Sequence, residues 1–474
     1  MSITLSGRLR LSLPAFIFMF LFQAAAACAE SAPDLTIFFS SDTRGMLRRC
    51  GCFEAQSGGV SARAYYIKKN YVPGKTLVLD AGDTLFEGLD EPAGLRDFYA
   101  LKAATLIKSM NAAGYDAAAV GEYDLRFGID FLLEAAGDAE FPVLASNVAI
   151  RKGDGVERPF ADVSLKDMGW YKAGIVGVMD GGFPYADFPE SFSGMTVTDP
   201  AQAVKAAAAK LAGKAQLLIV LAHLGIEDAE AFAAKVPEAD IVIQGHSQEK
   251  LGEPRIVGNT LIVKGFYKAR QIGRLDLWFC AGEGTKTGAK KFTNFKYQVI
   301  ELDRSVDPDQ KVEKIIGGYR RELRKKDFIP DVPDPEGGGT FAGPDGCRQC
   351  HPAQHENWAG TKHAKAFDSL TKTGDQYDPE CLPCHVTGYG FASGYKNDRK
   401  RLRDVTCEDC HGRGAGHVAA RKSGDAAKVS ADTMKRAVPE EICLPCHNED
   451  NSPNFQYGPY LEKGGAHRSA PGKD

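Results

Sequence analysis

The chain has 474 residues, 43% of them apolar and 25% charged, with a formal net charge of -4. That length exceeds one ordinary core and calls for two folded units with connecting segments. The balanced charge gives no basic surface for a nucleic-acid partner, so none is expected. In chain order, residues 1–29 read first as a secretory signal peptide: Arg8 and Arg10 precede an apolar run from Leu11 to Phe22, and small residues follow. The run falls short of the roughly 20 apolar residues of a membrane-spanning helix, and no later stretch approaches that length, so no transmembrane span is expected. Two processing routes fit, cleavage after Ala27 or Ala29 or lipid anchoring at Cys28. Either way the protein is expected to be periplasmic or otherwise exported.

From residue 34 to 303, short β-branched runs alternate with Ala-rich amphipathic stretches, which predicts a layered α/β or α+β domain. The strand candidates are 35–42, 76–83, 115–122, 173–180, 216–225, 239–247 and 259–266, with the clearest helices at 96–113 and 201–212. Polar side chains gather at the C-terminal ends of these strands, the edge on which α/β sheets build their sites. Residues 304–345 read as a charged helical stretch, 312–326, followed by a linker rich in Pro, Gly and Asp. The last unit, 346–474, has few apolar runs and is expected to be mostly helical. It is too sparse to fold around aliphatic side chains alone, so something else must supply its core.

Eight of the twelve cysteines lie in that unit, in four C-x-x-C-H motifs: Cys347, Cys350 and His351; Cys381, Cys384 and His385; Cys407, Cys410 and His411; Cys443, Cys446 and His447. In each, two thiols three positions apart suit thioether attachment to one haem, and the adjacent His can ligate its iron. Zinc ribbons would use the paired cysteines but do not require His after each second one. Export agrees with haem attachment, and four porphyrins would provide the missing core. The cofactors expected are four covalently bound haem c groups, and the partners expected are redox proteins.

The stretches HPAQHENWAGTKHAKAF, CLPCHVTGYG, CEDCHGRGAGH and PNFQYGPYLEKGGAH, between Gly346 and His467, resemble the tetrahaem cytochrome c family of the hydroxylamine-oxidation pathway. The resemblance implies distal iron ligands drawn from His363, His417 and His467, at least two of them serving a haem other than the nearest in sequence. In that family the second haem in chain order has no sixth protein ligand. His355 is extra to the family pattern, and its plain reading is a surface residue on a helix.

In the N-terminal half, SSDTRG (40–45), AGD (81–83), GEYDLRFG (121–128), ASNV (145–148), AHLG (222–225) and GHSQ (245–248) resemble, in this order, the metallophosphatase domain of the periplasmic nucleotidase family, a fold that also serves a thiosulfohydrolase branch. The resemblance implies a metal site of Asp83, Glu122, His223 and His246, with Glu in place of the family's Asn. Of the other family ion's ligands Asp42 remains, while Arg44 and Gln248 stand where His is usual and Tyr123 replaces the family's transition-state His. At most one divalent metal ion is therefore expected, and hydrolysis that clamps both reacting oxygens between two ions is disfavoured. Asp42 and Arg44 remain as an anion-binding pair.

Cys50 and Cys52 form a C-x-C pair open to three readings: a structural disulfide, a soft-metal site, or a sulfur nucleophile. Cys280 reads as a small buried apolar residue. The leading expectation is an exported electron-transfer cytochrome whose N-terminal domain binds a partner or a small anionic or sulfur substrate. The alternatives are a redox-linked phosphoesterase or sulfur-ester hydrolase, and a reductase acting at an open haem iron.

Overall fold

Each apolar run of the N-terminal half buries both faces, so each becomes an interior strand with packing above and below. The computed structural model describes residues 31–49, 57–90, 94–246, 253–279, 292, 294–424 and 434–464. Cys28, Cys50, Cys52, Gln248, Cys280 and His467 lie outside them, as does the 1–29 segment. The strands are β1 Leu35–Ser40, β2 Thr76–Asp80, β3 Ala117–Ala119, β4 Val143–Leu144, β5 Val148–Lys152, β6 Gly155–Glu157, β7 Ser164–Asp167, β8 Lys172–Met179, β9 Met195–Val197, β10 Leu217–His223, β11 Ile241–Gly245, β12 Arg255–Val257, β13 Thr260–Lys264, β14 Gln271–Trp278 and β15 Asn294–Glu301.

Two six-stranded sheets result, in the orders β15-β14-β1-β2-β3-β4 and β12-β13-β11-β10-β8-β7, with a small β6-β5-β9 sheet beside them. Strands β1 to β4 run parallel, and β14 and β15 close that sheet antiparallel. In the second sheet β8, β10, β11 and β13 are parallel, flanked by antiparallel β7 and β12. Ile37, Leu77, Leu79, Ile175, Ile219, Leu221 and Ile243 fill the space between the sheets. Helices Val60–Asn70, Arg96–Ala113 and Ile129–Ala136 cover the outer face of the first sheet, and Pro200–Leu211 and Ile226–Lys235 that of the second. The expected layered α/β fold is the one observed.

Helix Gln310–Lys326 starts on an Asp309 cap that accepts the Val312 N–H at 3.0 Å. Its apolar stripe, Val312, Ile316, Tyr319 and Leu323, is buried in the same cluster as helix Arg96–Ala113. The chain then runs along the C-terminal segment, where Asp334 accepts both the backbone N–H and the hydroxyl of Ser393 at 2.9 Å. That segment consists of short helices, among them Pro352–Ala359, Ala366–Thr373, Cys407–His411, Ala415–Ser423 and Tyr457–Gly464. Its buried apolar cluster comprises Phe341, Leu370, Leu382, Val386, Tyr395 and Leu402. Six side chains are few for a unit of this length, as the composition implied. Among the described residues no helix is long and apolar enough to cross a membrane.

Candidate functional site

The turns after β1, β2, β3, β10 and β11 converge at one edge of the paired sheets. They bring one ligand atom from each of Asp83, Glu122, His223 and His246 within 4.8 Å of one another. Nε2 of His223 lies 3.1 Å from a Glu122 oxygen and 3.4 Å from Asp83 Oδ2, and His246 Nδ1 meets the other Glu122 oxygen. Asp83 Oδ2, Glu122 Oε1, His223 Nε2 and His246 Nδ1 are buried without a hydrogen bond of acceptable geometry. Burial favours the neutral form of Glu122, but the His223 and His246 rings outweigh it and hold the carboxyl well below the usual range. Burial and then the Glu122 charge push Asp83 upward. Two carboxylates and two imidazoles with lone pairs converging on one point fit a borderline divalent cation.

The backbone around this cluster is strained in a consistent way. Asp42, Arg44, Asp83 and His246 all have left-handed φ, between 47° and 58°, which non-glycine residues adopt only where the surroundings impose it. The turn after β1 is laced to the turn after β2: the N–H groups of Asp42, Arg44 and Gly45 donate to the carbonyls of Gly82, Asp83 and Thr84 at 2.8 to 2.9 Å. Asp124 accepts the N–H groups of Asp83, Thr84, Leu85 and Gly121 and so fixes the Asp83 turn. A methyl group added at Gly121 would lie 2.2 Å from Asp83 Oδ1, so this glycine is required for close approach.

Arg44 occupies the side of the pocket next to Asp42. Its guanidinium is 3.0 Å from Asp42 Oδ1 and 3.4 Å from Asp83 Oδ2, and sits 4.2 Å above the Tyr123 ring and 5.6 Å from that of Tyr267. Asp42 also accepts the His246 N–H at 3.1 Å. A fixed cation therefore stands beside the four-residue cluster, able to hold an oxyanion but not to activate water. Tyr267 and Lys268 were not singled out from sequence, since no motif marks them, and Asp124 was passed over although it lies within the GEYDLRFG motif.

The haem motifs are arranged as two close pairs. The Cys347 and Cys407 thiols lie close together, joining the first motif to the third. Cys446 likewise meets Cys384, and Cys384 Sγ is 3.9 Å from the Pro445 carbonyl, joining the second to the fourth. None of the eight motif cysteines is tied up in a disulfide. The rings of His351 and His417 have centres 6.4 Å apart, and those of His447 and His363 6.0 Å. Two imidazoles on opposite faces of one iron, each bonded at roughly 2 Å, have centres about 6 Å apart. His385 Nδ1 faces the Ala366 carbonyl at 2.7 Å and His411 Nδ1 the Lys435 carbonyl at 2.6 Å, which places the proton on Nδ1 and leaves Nε2 for metal. These residues fit haem. His355 sits half-buried on helix Pro352–Ala359 with its ring 5.3 Å from Trp358.

Residues 346–412 match the family model for cytochrome c554 and c-prime. The C-terminal segment is cytochrome c554-like. Over 141 residues it is 36% identical to cytochrome c-554 of Nitrosomonas europaea, an alignment covering 24% of this chain and 60% of that protein. The N-terminal half is similar to metallophosphoesterases: the chain is 27% identical over 293 residues to a 5'-nucleotidase of Vibrio cholerae, covering 54% of this chain and 50% of the relative. Its fold matches that of a sulfate thiohydrolase from Thermus thermophilus, with a TM-score of 0.53 at 19% identity over 64% of this chain and 63% of the other. The chain thus spans 60% of the length of that cytochrome and half that of the nucleotidase. Both resemblances read from the sequence, to the cytochrome family and to the metallophosphatases, are returned by these comparisons.

Proposed function

We propose that this chain is an exported tetrahaem c-type cytochrome that carries electrons, and that its metallophosphoesterase-like half binds one divalent metal ion and a small anionic or sulfur substrate. The observation that carries the reading is the pairing of His351 with His417 and of His447 with His363 at the ring spacing of two axial ligands on one iron. Bound at these motifs, haem c supplies reversible one-electron chemistry at iron. The chain's own residues then do the positioning. The thiols would fix each porphyrin, the Nδ1 hydrogen bonds of His385 and His411 would aim Nε2 at the iron, and His363 and His417 would reach across from other parts of the segment.

In the N-terminal pocket, Asp83, Glu122, His223 and His246 would hold a single cation, and Arg44 would take the anionic end of a ligand. A lone ion beside a guanidinium does not reproduce the two-metal clamp, so binding is favoured over rapid phosphoester hydrolysis. The experiment is haem quantification after acid-acetone treatment of the purified protein. Four haems per chain resistant to extraction are expected; extractable haem, or zinc held by the eight cysteines, would refute the reading.

A further inference from the structure

Two sets of contacts tie the cytochrome-like segment to the pocket, and both end on the turn that carries Asp42 and Arg44. The first starts at Asp450, three residues beyond His447. Its carboxylate takes Lys268 Nζ at 2.5 Å and the Arg270 guanidinium at 2.6 Å. Lys268 is buried, its amine also meets Glu87, and its backbone N–H donates to the Asp42 carbonyl at 2.7 Å. Lys268 and Ala269 are both left-handed, with φ of 52° and 53°, a conformation kept only where neighbours over-determine it. The neighbours here are the pocket turn on one side and the fourth haem motif on the other.

The second set starts at Glu380, adjacent to Cys381. Glu380 pairs with the buried Lys102 amine at 2.5 Å, and that amine lies 2.9 Å from where a Cβ on Gly45 would stand, directly against the Arg44 turn. Arg48, further along the same loop, pairs with Asp375 and reaches Asp378 at 2.8 Å, and the Asp378 carbonyl accepts the Cys381 N–H at 3.0 Å. The second and fourth motifs, themselves in contact, thus both bear on the pocket wall.

We infer that the pocket and the irons of the second and fourth motifs are thermodynamically linked, so that a divalent cation at Asp83, Glu122, His223 and His246 binds more tightly when those irons are reduced. The inference rests on the pocket reading proposed above. Reduction removes one positive charge from each iron, and through a partly buried medium that change is felt by a cation on the other side of the wall. Linkage is reciprocal: the cation that prefers the reduced protein raises the reduction potentials. Arg44 gives the turn a reason to move, because a cation on Asp83 Oδ2 replaces the guanidinium 3.4 Å away and drives it towards Asp42, whose carbonyl holds Lys268. Lys268 is a positioning residue in this scheme, not a ligand.

The test uses the haem-loaded full chain and Mn²⁺ alone. Its affinity is measured by calorimetry on the oxidised and the dithionite-reduced protein, and the potentials by spectroelectrochemistry with and without the ion. The expected result is about tenfold tighter binding to the reduced protein, equivalent to an upward shift of about 59 mV in a one-electron couple. Asp450→Asn removes a negative charge from the same wall, so Mn²⁺ binding should weaken somewhat in both redox states while the ratio of the two affinities shrinks; an unchanged ratio would overturn the role given to the Lys268–Asp450 contact. Equal affinity in both redox states would overturn the linkage and leave the pocket reading standing. No Mn²⁺ binding in either state would overturn both.

Discussion

His223 Nδ1 lies 2.7 Å from the carbonyl of Ala81, and that contact decides what the other ring nitrogen can do. A carbonyl only accepts, so Nδ1 carries a proton and Nε2 is the nitrogen that faces Glu122 and Asp83, whose charges outweigh burial and raise the ring's pKa, so that a cation bound there takes the place of the Nε2 proton. The ring is fully buried and Gly245 packs against it so closely that an added Cβ would lie 2.6 Å from Nδ1. The imidazole is thereby held as a ligand before any ligand arrives.

Calorimetry with Mn²⁺ should therefore give one site per chain and not two. His223→Ala should weaken binding by at least the roughly 100-fold that loss of even an outer hydrogen-bonding partner of a metal ligand can cause. Haem content should be unaffected. Two equivalent ions in the wild-type protein would contradict the displacement of the second ion by Arg44.

His417→Ala and His363→Ala should each open one iron, because each removes one imidazole of a close pair. Electron paramagnetic resonance of the oxidised variants should show one low-spin ferric signal lost and one high-spin signal gained, with the other haems unchanged. The site opened should be that of the first motif in His417→Ala and that of the fourth in His363→Ala. A spectrum identical to wild type in either variant would refute that assignment.

Gly121→Ala places a methyl group 2.2 Å from Asp83 Oδ1 in a turn already fixed by Asp124. Overpacking of this kind costs about 1–3 kcal/mol. The urea midpoint should fall accordingly and metal binding should be lost, while haem spectra stay as in wild type. Normal Mn²⁺ affinity in this variant would mean that the Asp83 turn is not held as tightly as the contacts imply.

Much of this was legible in the sequence. The seven strand candidates correspond to β1, β2, β3, β8, β10, β11 and β13, because fully buried parallel strands are continuous apolar runs. The other eight strands were missed, β14 and β15 being the longest of them. In β14, Gly273 lies under the Phe39 ring and Arg274 pairs with Asp276, so packing and an internal ion pair interrupt the run that would have marked it. The four pocket residues were visible as ends of strands in a familiar order. The juxtaposition of His351 and His417 could not be read from the sequence, since the two rings are joined by the fold and not by spacing. Lys268 carried no signal, because its role comes from a left-handed backbone and from carboxylates distant in sequence, Glu87 and Asp450.

The contact between the two halves should loosen in acid, and Asp450 sets the direction. Partial burial alone would raise its pKa, but the hydrogen bond from Lys268 and the charges of Lys268 and Arg270 outweigh burial and depress it. A carboxyl depressed in the folded state contributes stability that is present above its unfolded value, about 3.9, and is lost as pH falls through the folded value. Lys268 is shifted the other way, upward, because Glu87 and Asp450 overcome its burial, so its contribution is intact throughout the acid and neutral range. Of the Lys268–Asp450 pair, then, Asp450 is the member that titrates in acid. Urea midpoints of wild type and Asp450→Asn should differ by a constant amount between about pH 5 and 7 and converge below about pH 4. Other carboxylates titrate in both proteins and cancel in that difference. Convergence on raising the pH, or a gap that persists undiminished to pH 2, would show that the Asp450 carboxylate does not hold the fourth haem motif against Lys268 and Arg270.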